Sequence, residues 1–170
     1  GAAYWLYCSD VCYYTVSNAA SNDTTTFTYD GDGGRVKKTV NGTSTIYVGS
    51  LFEEEGFVDT KHIFLVDTRI ASVESTGGKY FYHGDHLGST SDVTDINGDI
   101  IQHTEYTPYG EFSPSASVTG DVTQYLFTGK LLDPSTNLYY YGARYYDPEL
   151  GRFTQSDTIV PDPGDPQAFN

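Results

Sequence analysis

The densest group of side chains that could bind a metal lies at His83-Gly84-Asp85-His86, where two imidazoles and a carboxylate are close in sequence. A zinc site needs three or four converging ligands, so another part of the fold would have to complete this one. The alternative is that Asp85 and the two histidines hydrogen-bond a turn, with Leu87 packed inward. We expect no metal or other cofactor, and His83, Asp85 and His86 are the candidates if a metal is bound.

Other segments carry weaker signals of chemistry. Asp30-Gly31-Asp32 resembles the start of a calcium loop, but the bidentate glutamate that completes such a loop is missing at the required spacing. A turn within a repeat is the better interpretation. The sequence contains no Ser-His-Asp motif, phosphate loop or nucleotide fingerprint. His62 and His103 are isolated in strand patterns, where histidines usually have structural roles.

Cys8 and Cys12 are the only cysteines, and their spacing could close a small disulfide loop in an exported protein. On one straight strand their Cα atoms would lie about 13 Å apart at roughly 3.3 Å per residue, which is too far for a bridge. A disulfide therefore requires a turn near Asp10. The sequence leaves both alternatives open.

The composition excludes several classes of partner. The net charge is −14, and the nine cationic residues are scattered, with Lys37-Lys38 the only adjacent pair. Neither nucleic acid nor an anionic membrane surface would be attracted to such a chain. No apolar run approaches the roughly 20 residues that a membrane-spanning helix needs.

The large side chains are mostly aromatic, with 16 Tyr and 9 Phe, and buried tyrosine rings can still use their hydroxyls for hydrogen bonds.

Short strand-like segments recur along the chain, separated by turn sequences such as Asn41-Gly42, Gly77-Gly78 and Asn97-Gly98. No window shows a sustained apolar period near 3.6 residues, which argues against long helices. We predict an all-β fold built as an antiparallel meander of hairpins. The predicted strands cover residues 4–7, 12–16, 24–29, 35–40, 44–48, 57–60, 62–67, 69–74, 79–83, 91–94, 100–106, 123–128, 138–141 and 143–146.

The block at residues 127–157, FTGKLLDPSTNLYYYGARYYDPELGRFTQSD, combines tyrosine-rich strands with glycine and Asp-Pro turns. It resembles the RHS-repeat-associated core of YD-repeat proteins, whose pattern runs roughly FTGKE-D-TGLYYYGARYYDP--GRF---DP. The resemblance extends to the YHGDHLGST segment at 82–90 and the YTPYGE segment at 106–111. Residues 27–36 resemble one degenerate YD repeat.

These matches suggest four regions along the chain. Residues 1–26 form N-terminal strands of unknown affinity, and residues 27–79 form degenerate YD-repeat-like hairpins. Residues 80–160 are the RHS-associated core, and residues 161–170 are an extended tail rich in Pro and Asp.

The resemblance implies a fold and a function. In the family, hairpins coil into a hollow β-shell with the core as its end plug, so this chain would supply a curved strip or partial β-shell with two open edges. The implied function is a structural module that encapsulates or presents a C-terminal effector in a longer exported or surface protein. The expected location is extracellular or at the cell surface, and the expected partners are neighbouring repeats and the effector.

The resemblance also implies a self-cleavage site of the aspartyl type, with Arg144, Asp147 and Asp157 at the matching positions. Two carboxylates sharing a proton can activate water, and the arginine could polarise the scissile carbonyl. The family's cleavage segment is absent from this sequence, and Asp157-Thr158 replaces the usual Asp-Pro. We therefore expect no enzymatic activity from the chain as given. The structural alternative is that Asp147 holds a turn and Arg144 pairs with a carboxylate or stacks on tyrosines.

Two other functions remain open. The chain could be a stand-alone extracellular structural subunit that assembles with its own copies through strand edges into filaments or sheaths. It could also be a carbohydrate-binding surface module, since tyrosines beside acidic groups suit sugars, although no spacing singles this out.

Overall fold

The computed structural model of the chain describes residues 3–8, 12–18, 23–113 and 122–155. These residues form an almost entirely antiparallel β-structure, which confirms the predicted fold class. The strands are β1 Ala3–Cys8, β2 Cys12–Asn18, β3 Asp23–Tyr29, β4 Arg35–Val40, β5 Thr43–Val48, β6 Phe52–Glu55, β7 Val58–Leu65, β8 Thr68–Glu74, β9 Lys79–Gly84, β10 Thr90–Thr94, β11 Ile100–His103, β12 Leu131–Asp133, β13 Leu138–Tyr140, β14 Tyr145–Asp147 and β15 Arg152–Phe153.

Strands β1 to β11 form one open sheet in which every strand pairs with its sequence neighbours. The β4–β5 hairpin shows why the turn sequences set this order. Val40 pairs with Thr43, so Asn41 and Gly42 make a two-residue loop, and both have positive φ angles of 49° and 90°. Asn-Gly is the sequence that tolerates this conformation best, and its twist matches that of the strands. The predicted meander is confirmed here.

Strands β12 to β15 form a second, four-stranded sheet from the C-terminal block. Its strands are short because the chain turns between them. Asn137 lies in the turn before β13 and Gly142 in the turn after it, and both have positive φ angles. The strand predicted at residues 123–128 is wrong. That segment leads into a 3-10 turn at Phe127–Gly129, in which Thr128 has a φ angle of 49° that is incompatible with a strand.

Strand β6 was missed by the sequence analysis, and the strands predicted at 57–60 and 62–67 are one strand, β7. Glu53, Glu54 and Glu55 give β6 a composition that is unusual for a strand. The strand forms because it pairs on both sides, with β5 and with β7. Backbone pairing in a central position overrides the low propensity of glutamate.

The four-stranded sheet packs against one face of the eleven-stranded sheet, which we call the covered face. The rings of Phe27 on β3 and Tyr145 on β14 lie 6.0 Å apart, and the hydroxyl oxygens of Tyr29 and Tyr145 lie 2.6 Å apart. A compact apolar cluster lies behind this contact. It contains Leu126, Phe127, Leu132 and Tyr139, with Tyr106, Tyr141 and Tyr146 packed against it.

The covered face combines buried polar side chains with Phe27, Tyr47 and Val93, whereas the opposite face exposes several apolar side chains. Ile46, Val48 and Ile63 are 41%, 60% and 45% exposed on the opposite face. Several polar residues of the covered face are buried under the second sheet or under the segment that contains Gln124 and Tyr125. These polar residues include Lys38, Thr45, His62 and Ser72. The burial of so many polar side chains departs from the usual half-buried sheet, in which polar residues lie on the exposed face.

Candidate functional site

A buried ion pair joins the two sheets. Arg35 on β4 donates from Nη1 to Oδ2 of Asp133 on β12 at 2.6 Å, and the two side chains are 1% and 0% exposed. The Lys38 ammonium lies 3.6 Å from the other oxygen of Asp133. Two cations on β4 therefore meet one carboxylate from the C-terminal block, and removing that carboxylate would leave both cations without their counter-charge.

Aromatic rings surround the guanidinium of Arg35. Its central carbon lies 4.3 Å from the ring centre of Tyr140, 5.1 Å from that of Tyr47 and 5.2 Å from that of Phe27. Burial alone would lower the pKa of Arg35, but the charge of Asp133 raises it above its ordinary value. The Arg35 backbone N–H also donates to the Tyr140 hydroxyl at 2.9 Å. The cation is thus held permanently charged between the sheets.

A second charged group lies on β6, β7 and β8. The Nε2 atom of His62 is 3.3 Å from Oε1 of Glu53, and the Tyr125 hydroxyl donates to Oε2 of Glu53 at 3.1 Å. Burial would raise the pKa of Glu53, but its contacts with His62 and Tyr125 lower it below the ordinary value. Glu53 is therefore kept as a carboxylate with both of its oxygens engaged.

Arg69 completes this group through its guanidinium, whose central carbon lies 3.2 Å from the ring centre of Tyr125 and 5.2 Å from that of Phe64. Burial lowers the pKa of Arg69, and Tyr125 and Glu53 only partly offset this effect. Among the described residues, the Nε and Nη1 atoms of Arg69 have no hydrogen-bond partner. Arg69 is a cation that is poorly compensated within the described part of the chain.

Two cavities lie between the covered face and the residues packed over it. The smaller cavity, of about 280 Å³, has a polar lining that includes Glu53, Glu55, His62 and Glu74. The larger cavity, of about 780 Å³, is lined by residues of both sheets, among them Arg35, Arg69, Lys130 and Tyr140. The covered face therefore encloses space instead of packing tightly.

Two of the three predicted catalytic residues lie in the described part of the chain, and both make structural contacts. The Arg144 guanidinium lies 3.9 Å over the ring of Phe153. Asp147 accepts hydrogen bonds at Oδ1 from the N–H groups of Glu149 and Leu150, which holds the β14–β15 turn. Asp157 lies outside the described residues. The catalytic set Arg144, Asp147 and Asp157 stays a prediction.

The predicted metal candidates also make hydrogen bonds within turns and strands. Asp85 accepts from the N–H groups of Leu87 and Ser89 at 2.8 Å, and His83 Nε2 lies 3.0 Å from the Thr94 hydroxyl. Leu87 is 51% exposed, so the expectation that it packs inward is wrong: its side chain projects from the turn. Within residues 23–113 and 122–155, no three His, Cys, Asp or Glu side chains are grouped to hold a metal ion.

Two further predictions concern turns. Asp30 accepts at Oδ1 from the N–H groups of Asp32 and Gly34, which confirms that this segment is a turn. Cys8 and Cys12 are cross-strand partners in the β1–β2 register, an arrangement that brings Cα atoms within disulfide range. The disulfide itself stays a prediction.

The sequence analysis missed both buried charged groups. In the sequence, Arg35 and Lys38 belong to a scattered set of cations, and His62 is an isolated histidine. One signal was available. Glu53, His62 and Arg69 lie on β6, β7 and β8, and β7 pairs with both of the other strands, so the three side chains could share a face. The contact between Arg35 and Asp133, 98 residues apart, had no such local signal.

The described residues include no helix long and apolar enough to cross a membrane.

Comparison with known proteins gives one family and several relatives. The profile of the teneurin YD-shell family matches residues 60–170. The chain is 32% identical over 150 residues to the tRNA3(Ser)-specific nuclease WapA of Bacillus spizizenii, a match that covers 82% of this chain. It is 33% identical over 98 residues to the double-stranded DNA deaminase toxin A of Burkholderia cenocepacia, over 56% of this chain.

Among solved structures, the chain is similar to the crystal structure of TcdB2-TccC3, with a TM-score of 0.70 at 21% identity over 91% of this chain. At this identity the similarity establishes the fold alone. The chain spans 6% of the WapA nuclease, 7% of the deaminase toxin and 9% of the TcdB2-TccC3 chain. It therefore corresponds to a small part of each of these proteins.

Proposed function

Because the chain belongs to the teneurin YD-shell family, we propose that it forms part of a shell wall in a longer protein and helps to enclose a C-terminal effector. The observation that carries this proposal is the set of buried charged and polar side chains on the covered face. Arg35, Glu53, His62 and Arg69 point to the side on which the four-stranded sheet and the cavities lie. A sheet that turns its charged side chains toward an enclosed space suits a container wall, not an ordinary two-layer core.

The relatives support the effector part of the proposal. Two of them are named as a nuclease and a deaminase toxin, and the segments similar to this chain are 6% and 7% of their lengths. Most of each relative is therefore available for an effector and for the rest of a shell. A toxin has to leave the cell that makes it in order to act on another cell. We accordingly place the longer protein outside the cell or on its surface.

Self-cleavage belongs to the longer protein in this proposal. The chain itself is a non-enzymatic wall segment, and Arg144, Asp147 and Asp157 would act only on a cleavage segment that follows residue 170. Stacking on Phe153 fixes the guanidinium of Arg144, and its hydrogen bonds fix the carboxylate of Asp147. Side chains that are held in place in this way could act in a cleavage site, where the reacting groups must be correctly positioned.

The experiment that tests enclosure is limited proteolysis of the purified longer protein, followed by mass spectrometry. We expect the sequence beyond residue 170 to be cut at least about tenfold more slowly in the native protein than after denaturation, because cleavage requires an open form. The Asp133→Asn variant, which weakens the contact between the sheets, should be cut faster than the Asp32→Asn control. Equal rates of cleavage in native and denatured protein would contradict the proposal.

One observation favours the alternative of a self-assembling subunit. Among the described strands, β1 and β11 each pair on one side only. Unpaired edges of this kind can pair with strands of another chain. Assembly through edges would make the isolated chain polymerise as its concentration rises, and a monomer by light scattering at high concentration would contradict this alternative.

A further inference from the structure

Two tyrosine hydroxyls meet where the two sheets are in contact. Tyr29 is the last residue of β3 in the eleven-stranded sheet, and Tyr145 is the first residue of β14 in the four-stranded sheet. Their hydroxyl oxygens lie 2.6 Å apart, although the two residues are 116 positions apart in the sequence. The fold therefore brings together the reactive ends of two phenol rings that belong to different sheets.

The two rings are held in this position by their neighbours. The Tyr145 ring centre lies 6.0 Å from that of Phe27 and 5.4 Å from that of Tyr140, and the Tyr140 ring centre lies 6.4 Å from that of Tyr29. Burial raises the pKa of both Tyr29 and Tyr145, so both hydroxyls are protonated at neutral pH and one donates to the other. Ring packing and the hydrogen bond together keep the two hydroxyls in contact.

We propose that Tyr29 and Tyr145 form a covalent dityrosine cross-link when the protein meets a one-electron oxidant, such as a peroxidase acting with hydrogen peroxide. Each phenol gives one electron to the oxidant and one proton to water, which leaves two phenoxyl radicals. The radicals couple through one ring carbon next to each oxygen-bearing carbon, and the proton on each coupled carbon then moves to the oxygen. The pair loses two hydrogen atoms in all, and one peroxide molecule is reduced to water.

The hydrogen bond resembles the arrangement in the product. In dityrosine the new bond joins the two carbons that neighbour the hydroxyl-bearing carbons, so the two hydroxyls face each other. Tyr29 and Tyr145 hold their hydroxyls face to face before any reaction. Two radicals kept this close couple with each other faster than with a distant partner, because no encounter is needed.

Other tyrosine rings lie close together, but their hydroxyls are directed to other partners. The Tyr140 hydroxyl accepts from a backbone N–H, the Tyr141 hydroxyl pairs with a threonine hydroxyl, and the Tyr146 hydroxyl donates to a backbone carbonyl. The composition also favours oxidation at tyrosine, since the chain has 16 Tyr, no Met and one Trp. The contact between Tyr29 and Tyr145 is therefore the preferred place for coupling among the described residues.

The cross-link would tie the four-stranded sheet to the wall of the eleven-stranded sheet. It would close a long loop of the chain, and closing a long loop lowers the conformational entropy of the unfolded state. An oxidised chain should therefore resist opening of the two sheets. The proposal concerns a modification of this chain and does not depend on the enclosure of an effector.

The test is photo-oxidation of the 170-residue chain with a ruthenium tris(bipyridine) complex and persulfate, followed by protease digestion of the isolated monomer and tandem mass spectrometry. Digesting only the monomer excludes links between chains. We expect a peptide that joins Tyr29 to Tyr145, at least about tenfold more abundant from the folded chain than from the chain in urea, because folding holds the two phenols together. Absence of this peptide, or equal amounts from folded and denatured chain, would overturn the proposal.

A matched pair of variants tests whether the link ties the sheets together. Oxidised wild-type protein should unfold at a higher urea concentration than untreated protein. Tyr29→Phe keeps the ring but removes the phenol, and it should abolish this gain. Tyr109→Phe removes a phenol from a residue that is 64% exposed, and it should keep the gain.

The same gain in both variants, or no gain in the wild-type protein, would overturn the proposal. Each variant is compared with its own untreated sample, so a change in stability caused by the substitution itself does not affect the result. Failure of the cross-link would leave the protease test of enclosure untouched, and the converse also holds.

Discussion

Replacing Asp133 with asparagine is expected to lower the free energy of unfolding by about 3–5 kcal/mol, the range found when one partner of a buried ion pair is removed. Asp133 is fully buried and lies against both Arg35 and Lys38. Asparagine keeps the size of the side chain but leaves the buried guanidinium without its anion. Urea denaturation followed by circular dichroism measures the loss.

Asp32→Asn is the control, since Asp32 is an exposed turn residue and the same charge is removed. It should change stability by less than about 0.5 kcal/mol. The triple replacement Arg35→Met, Lys38→Met and Asp133→Leu should recover much of the stability, because apolar side chains can replace a buried ionic group at little cost. A cost for Asp133→Asn no larger than that of the control would show that the ion pair does not hold the sheets together.

Gly110→Ala is expected to destabilise the protein by about 2–5 kcal/mol, from strain in the left-handed backbone and from overpacking. Gly110 has a φ angle of 90°, and a Cβ atom there would lie 2.6 Å from Cγ of Phe127. Phe127 is in the apolar cluster behind the four-stranded sheet and is tightly surrounded. The loss is measured by thermal and urea denaturation.

Gly98→Ala is a matched control because Gly98 has nearly the same φ angle, 87°, with no atom within 4 Å of the added Cβ. It should lose only the conformational part, about 1–2 kcal/mol. The difference between the two variants isolates the clash with Phe127. Equal losses would mean that the ring moves aside freely and that the cluster is not closely packed.

The local features of the fold could be predicted from the sequence because they depend on neighbouring residues. Asn41-Gly42 requires positive φ angles at both positions, and the structure has them. Asp30 and Asp85 each accept N–H groups two and four residues ahead, which is how aspartate stabilises a turn. These contacts carry their own sequence signal.

The candidate site could not be predicted in the same way. Arg35 and Asp133 meet only because a second sheet folds back across the first, and nothing near either residue indicates the other. Strand β6 was missed for a related reason, since pairing with β5 and β7 stabilises a strand that its glutamates disfavour. The family resemblance was specific at the level of motifs and fold. It did not indicate that the buried polar side chains of Glu53, His62 and Arg69 would form a group on the covered face.

The most direct test of the shell-wall account is a cryo-electron microscopy map of the longer protein that contains this chain. We predict that β1 is paired with a strand from a preceding repeat and that Arg35, His62 and Arg69 face an enclosed space. Density for the segment beyond residue 170 should lie inside that space. A map in which the covered face opens to solvent, or in which β1 and β11 pair with other copies of the chain in a filament, would contradict the account.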